Sequence, residues 1–176
     1  MEFCSGFVIF TTLVHIAPHV TELGFSAATA ATILAGVGGA SVLGGVFLGN
    51  IGDRIGNKRT FSVIFALMLA ALFWLTPSVA LWQLVLFAIV FGFAYGGTGA
   101  ISSSLTAELF GLKSHGLIYG VLGLGFRIGG SVGPFLAGNI FDTTESYQIA
   151  FLVSAIIAIV GLILTMILRP IKRPQA

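Results

Sequence analysis

The sequence predicts an all-α integral membrane protein whose six transmembrane helices form two inverted three-helix repeats. Three observations carry that expectation. Of the 176 residues, 57% are hydrophobic and 8% are charged, with a mean hydropathy of +1.07. A soluble domain carries roughly 25% charged residues, so this chain cannot cover its own surface against water. The few charges divide the chain into apolar windows long enough to cross a bilayer. Short motifs also recur three spans apart, as inverted repeats require. So apolar a chain collapses or inserts, which excludes disorder. The single cysteine, Cys4, excludes an intrachain disulfide and a cysteine metal cluster. The pI is near 9.0, but the net charge is only +2 and no basic stripe or aromatic platform accompanies it. The lipid bilayer, not nucleic acid, is therefore the expected partner.

A helix needs about 20 mostly apolar residues to cross the hydrocarbon layer. The charge-free windows run 3–21, 23–52, 60–107, 114–126 with 128–141, and 146–168. The third is long enough for two spans, with Thr76-Pro77-Ser78 as the turn of a tight hairpin. Only Arg127 interrupts the fourth. The expected spans are 3–20, 27–50, 60–76, 81–105, 116–140 and 148–168. Continuous apolarity without dyad alternation argues against barrel strands. Span one is no signal peptide, because Met1-Glu2 offers no basic n-region and no small-residue cleavage site follows. The apolar run begins at Phe3, as if sequence preceded it.

Arg54, Lys58 and Arg59 follow span two, Lys113 follows span four, and Arg169, Lys172 and Arg173 follow span six. Seven of the eight bases thus share one side, while the opposite connections carry Glu22, Asp142 and Glu145. By the positive-inside rule that side is cytoplasmic, as are both termini of a multi-pass protein of the cell membrane.

Gly49-Asn50-Ile51-Gly52-Asp53 closes span two, and Gly138-Asn139-Ile140-Phe141-Asp142 closes span five 89 residues later. Glu22-Leu23 and Glu108-Leu109 repeat with an offset of 86. The chain accordingly divides into one repeat over about 1–78, a second over about 79–168, and a tail at 169–176. Inverted repeats of this kind point to a transporter. Glycines crowd spans two, four and five at four-residue spacings such as Gly45/Gly49, Gly92/Gly96 and Gly125/Gly129/Gly133. Such spacing lets helix backbones approach closely in lipid. Those spans are expected to pack against protein, and the bulky aliphatic spans three and six to face lipid. The glycines serve static packing, with a minority open to sliding or bending.

The segment from Gly49 to Arg59, with Asp53, Arg54, Gly56, Lys58 and Arg59, reads as a tight turn in which Asp53 accepts hydrogen bonds from a helix N-terminus or a base. An ordinary positive-inside turn is the alternative. The segment resembles the signature loop of the major facilitator superfamily, G-x-x-x-D-R-x-G-x-K-R, with Asn57 in place of the usual arginine. That resemblance implies a cytoplasmic gating latch made by Gly49, Asp53, Arg54, Gly56, Lys58 and Arg59. His15-Ile16-Ala17-Pro18-His19 with Glu22 to Ser26, and Gly133-Pro134-Phe135-Leu136-Ala137-Gly138 through Tyr147, are similar to stretches of the monocarboxylate and oxalate/formate carriers. The six spans then correspond to helices seven to twelve of a twelve-helix transporter. The resemblance implies alternating access by symport or antiport, a small organic anion such as a monocarboxylate as substrate, and an N-terminal half or a second copy as partner.

Arg127 lies about 17 Å into span five at 1.5 Å per residue, near the midplane. A charge there costs at least about 2.5–3.5 kcal/mol on insertion scales and so faces a cavity or a partner. Gly123, Leu124, Gly130 and Ser131 sit three and four residues away. Its guanidinium fork could clamp a carboxylate or close a structural ion pair. The arginine that many related carriers have in the helix matching span two is missing from Ser41-Val42-Leu43-Gly44-Gly45. Tyr95, Thr98 and Ser102 to Ser104 in span four, and Thr11 and Thr12 in span one, either line the cavity or bond their own backbone. His15 completes the expected substrate set of Arg127, Tyr95, Thr98 and His15. His15, His19 and Glu22 share one helix face, with Pro18 expected to disturb that helix. They are interfacial polar residues or, for His15 and Glu22, candidates for proton coupling. No metal site or cofactor is expected. The chain lacks H-E-x-x-H and G-x-S-x-G, and Gly36-Val37-Gly38-Gly39 follows no strand, so no enzyme is expected. The remaining alternative to a transporter is a non-transporting membrane module, a truncated remnant or an assembly partner.

Overall fold

The computed structural model describes residues 1–168 as six helices: α1 (Glu2–Glu22), α2 (Ala27–Ile55), α3 (Asn57–Leu75), α4 (Leu81–Phe110), α5 (His115–Thr144) and α6 (Gln148–Ile167). All six are long and apolar enough to cross a membrane. The bases Arg169, Lys172 and Arg173 and the tail at 169–176 lie outside the described residues.

Several helices outrun the apolar windows. α2 was expected to stop at residue 50 but continues to Ile55, and α4 passes 105 to end at Phe110. A charge ends the part of a helix that hydrocarbon tolerates; it does not end the backbone hydrogen bonding. What stops these helices is glycine: Gly56 (φ 93°) and Gly111 (φ 81°) take a backbone conformation that side chains disfavour. Gly56 is also the entire connection between α2 and α3. The Gly56 amide donates to the Gly52 carbonyl at 3.0 Å, and the Thr60 amide donates back to Gly56 at 3.1 Å. Pro18 was expected to disturb α1, yet the helix runs through it to Glu22. Proline there removes one hydrogen bond in the penultimate turn, and the rest of the ladder holds. At the far end of the α3–α4 hairpin the Trp74 indole donates to the Gln83 carbonyl at 3.2 Å, and the Gln83 side chain accepts from the Val79 and Ala80 amides.

The packing carries the repeat. α1 lies along α5 and α2 along α4, while α3 and α6 pack together behind them, α3 also on α4 and α6 also on α1. Exchanging α1–α3 with α4–α6 swaps α1–α5 with α2–α4 and α3–α4 with α1–α6, and returns α3–α6 to itself. The correspondence reaches single atoms. A Cβ on Gly6 would strike the Phe126 carbonyl, and one on Gly92 would strike that of Val37. Gly44 presses on the Phe93 carbonyl as Gly133 does on that of Phe7. These pairs are related by the offsets of 86 and 89 that relate the sequence echoes. Three helices per repeat place the second repeat upside down relative to the first.

One expectation needs correction. The core lies against α3 and α6: Phe61, Phe65, Met68 and Leu72 of α3 interlock with Phe87 and Phe91 of α4 and Phe151 of α6, all fully buried. α2 and α5 are the barest helices, with Val42 68% and Leu117 76% exposed. A glycine seam draws two backbones together along one line but covers little area, so the other faces of a glycine-rich helix stay open. Bulky α3 fills space on every side that another helix reaches.

Adding a methyl where a carbonyl already sits forces the helices apart. Gly44→Ala and Gly133→Ala should each lower stability by about 1–3 kcal/mol, measured by unfolding in lipid nanodiscs. Gly38→Ala, with nothing within 4 Å of the new methyl, should leave stability unchanged or raise it slightly.

Candidate functional site

The glycine seams leave a cavity of about 550 Å³ between α1, α2, α4 and α5. Ile9 and Phe10 of α1 form its apolar side, and the Phe10 ring meets Phe126 edge-on at 5.7 Å. α2 contributes Ser41, α4 contributes Tyr95, Thr98 and Ser102, and α5 contributes Tyr119 and Arg127. The sequence-predicted Arg127, Tyr95 and Thr98 therefore share one wall. Gly123 beside Arg127 leaves room for the guanidinium to reach the space. Among the described residues, no carboxylate lies within 4.0 Å of Arg127, and the one acid–base contact there is His19 with Glu22. Among the described residues, then, no ion pair holds the charge. Thr98 lines the cavity and also donates to the Ala94 carbonyl at 3.5 Å, so the two readings of the hydroxyls coexist at that position. The Tyr119 hydroxyl donates to the Gly99 carbonyl at 3.5 Å and ties α5 to α4 beside the cavity.

The same wall holds a residue that sequence reading passed over. Glu2 is only 8% exposed, faces the cavity, and accepts a hydrogen bond from the Ser102 hydroxyl at 2.7 Å. In the sequence it looked like a terminal charge outside span one. An acid one position before an apolar run gave no sign that the helix already contained it.

The histidines lie elsewhere. The His15 Nε2 hydrogen-bonds the Pro134 carbonyl at 3.0 Å, and its ring lies 5.0 Å from that of Tyr147. His19 Nδ1 is 3.4 Å from the Glu22 carboxylate, and its ring meets Phe151 edge-on. Neither His15 nor Glu22 is on the cavity wall. The two histidines join α1 to α5 and α6. Burial pushes the Tyr147 phenol above its ordinary pKa, and the Glu22 and Asp142 carboxylates add to the shift. Thr11 is buried with its hydroxyl unpartnered, and Thr12 donates to the Val8 carbonyl at 2.8 Å.

The segment from Gly49 to Arg59 is the last turns of α2, the single residue Gly56, and the first turn of α3. Asp53, Arg54 and Arg59 are exposed and Lys58 half-buried; none of them makes an ion pair among the described residues. Asn57 donates instead to the Glu108 carboxylate at 3.0 Å and so fastens this turn to the end of α4. Buried Gly52 packs on Ile101 of α4 and completes the contact.

The sequence profile of the Major Facilitator Superfamily matches residues 1–176. The chain belongs to that superfamily. It is 28% identical to the probable sulfoacetate transporter of Cupriavidus necator, over 97% of this chain and 42% of that protein. It is 30% identical to monocarboxylate transporter 12 of Mus musculus, over 91% of this chain and 34% of that one. To the gentisate transporter of Corynebacterium glutamicum it is 28% identical, over 85% of this chain and 36% of the relative. The chain spans less than half the length of these curated relatives. These relatives are transporters by name and not enzymes. α2 (Val42, Leu43, Val46, Phe47) and α5 (Leu117, Val121, Leu124, Ile128) each carry an exposed apolar stripe.

A cysteine reacts only where reagent and water reach it. In a Cys4→Ser background, Arg127→Cys and Tyr95→Cys should be labelled by a membrane-impermeant thiosulfonate in vesicles. Met68→Cys, at a fully buried core position, should stay unlabelled until the protein is unfolded.

Proposed function

We propose that this chain forms the substrate-binding wall of a secondary active transporter for small organic anions, working by alternating access. The observation that carries the reading is Arg127, a cation on the wall of an intramembrane cavity with no acidic partner within 4.0 Å among the described residues. Arg127 is exposed at that wall, and an incoming carboxylate or sulfonate offers its guanidinium two charge-assisted hydrogen bonds at once. Tyr95 and Thr98 supply neutral hydroxyls on the same wall, and Ile9 and Phe10 suit an apolar body. The cargoes in the relatives' names, sulfoacetate, monocarboxylates and gentisate, are organic anions, which supports the same class here.

The bare apolar stripes of α2 and α5, two of the helices that border the cavity, support a second wall contributed by an N-terminal half or a second copy. The basic turns at Arg54 to Arg59 and Lys113 face the cytoplasm in this reading. Asp53, Arg54, Lys58 and Arg59 then act as a gating latch whose counterpart belongs to that second wall, with Gly49 and Gly56 allowing the close approach. Asn57 replaces one charged arm of the latch by a neutral bond to Glu108.

The test is uptake of labelled sulfoacetate, lactate, gentisate and citrate into proteoliposomes holding the chain alone or with an N-terminal six-helix half. Saturable uptake of at least one anion is expected. Arg127→Ala should lower it roughly ten- to a hundredfold and Arg127→Lys less, given about 1.5–3 kcal/mol for a hydrogen-bonded charge. Asp53→Asn should slow uptake while leaving equilibrium binding of the anion intact. Absence of uptake for all four anions in both preparations would reject the transporter reading.

A further inference from the structure

We propose that Glu2, held by Ser102, is a proton-binding site that couples proton movement to anion movement; this rests on the reading of Arg127 as the anion's anchor. The argument starts from what shares the cavity. Glu2 and Arg127 line the same 550 Å³ space, and Glu2 is 8% exposed with its Oε1 accepting from the Ser102 hydroxyl at 2.7 Å. No base lies within 4.0 Å of its carboxylate among the described residues. An ionised Glu2 is therefore held without a direct ion-pair partner, the Met1 amino group acting on it only from beyond 4.0 Å, in a medium where Coulomb interactions are far stronger than in water. An anion entering to reach Arg127 meets that charge as a repulsion. Protonation removes it, so proton and anion each favour the binding of the other, and by linkage the effect is reciprocal.

Ser102 suits both protonation states. Its hydroxyl donates to the ionised carboxylate, and its oxygen lone pairs can accept from the Glu2 O–H once the acid is protonated. The serine is 2% exposed, and the Thr106 hydroxyl donates to its carbonyl at 2.8 Å, which fixes that stretch of α4. Among the described residues, the ionisable groups near Glu2 can be assigned. α4 brings Tyr95; α5 brings Arg127 and Tyr119, with His115 stacked on Tyr119 at 5.6 Å; α1 brings the Met1 amino group. α2 offers Ser41, and α6 has no ionisable side chain over Gln148–Ile167. Glu2 is thus the one acid on the wall among the described residues, and in each cycle its carboxylate takes one proton from water on the side to which the cavity opens. It releases that proton on the other side after the anion has left. The histidines and Glu22, at the α1–α5–α6 junction, take no part in this step.

The experiment uses the same proteoliposomes with an inward proton gradient, recording labelled anion uptake and the lumenal pH by trapped pyranine. Wild-type protein should accumulate the anion with the gradient and acidify the lumen. Glu2→Gln should lose gradient-driven accumulation by roughly tenfold or more, yet keep exchange of labelled for unlabelled anion, now independent of pH. Glu2→Asp should keep coupling. Gradient-driven accumulation by Glu2→Gln at the wild-type level overturns the assignment, as does wild-type uptake indifferent to the gradient, and in both cases anion transport itself stands. Absence of any anion uptake by wild-type protein is instead the failure of the transporter reading. If Glu2→Gln also loses exchange, Ser102→Ala decides, since it keeps the carboxylate and removes its partner. The pH midpoint of uptake then moves, and an unmoved midpoint overturns the proposal.

Discussion

The structure depends on the places where a glycine lets one helix rest on the backbone carbonyl of another, four of which are related by the repeat. In lipid, no hydrophobic force drives helices together, because the tails are as apolar as leucine. Attraction has to come from close van der Waals contact, and contact is closest where no side chain intervenes. Gly6 on Phe126, Gly92 on Val37, Gly44 on Phe93 and Gly133 on Phe7 fix α1 to α5 and α2 to α4 in that way. A seam closed at these points holds the flanking side chains at a set distance, and the cavity is the space left where the seams diverge.

The repeat makes this arrangement economical. Because the four contacts are two pairs of equivalents, one solution to helix approach has been used twice with the membrane direction reversed. The symmetry is one of backbone approach and does not extend to the polar residues. Arg127 of α5 corresponds by its offset to Gly38 of α2, and Glu2 of α1 to Ala88 of α4. A shared scaffold therefore carries chemistry that is placed asymmetrically. The basic and the acidic residue of the cavity both come from the α1–α5 pair, and the α2–α4 pair supplies hydroxyls.

Charge spacing made the six spans legible, since a bilayer penalises each charge in its interior and the windows between charges have to be membrane crossings. It misplaced the ends of α2 and α4 for the same reason. It read where hydrocarbon stops, while the helices stop where Gly56 and Gly111 turn. Glycine spacing identified the seams but misjudged burial, because a seam is a line and burial is an area; hence α3, with no glycine, lies deeper than α2. At the site, Arg127, Tyr95 and Thr98 could be found from their position along continuous spans. Glu2 could not, because its distance from Ser102 is a hundred residues in sequence and one hydrogen bond in space. His15 and Glu22 drew attention by their spacing on one face, and that face packs on α5 and α6 instead of lining the cavity.

By itself the sequence determined the solvent this protein lives in, the number of spans, the twofold internal repeat and the presence of one costly intramembrane cation. Those follow from composition and from spacing along the chain, which a bilayer reads one helix at a time. The tertiary structure decided which helix faces meet, that the cavity lies between the two seams, and that a buried carboxylate shares it with Arg127. Such facts depend on pairs of residues far apart in the chain, and only the packing of backbone on backbone sets the distance between them.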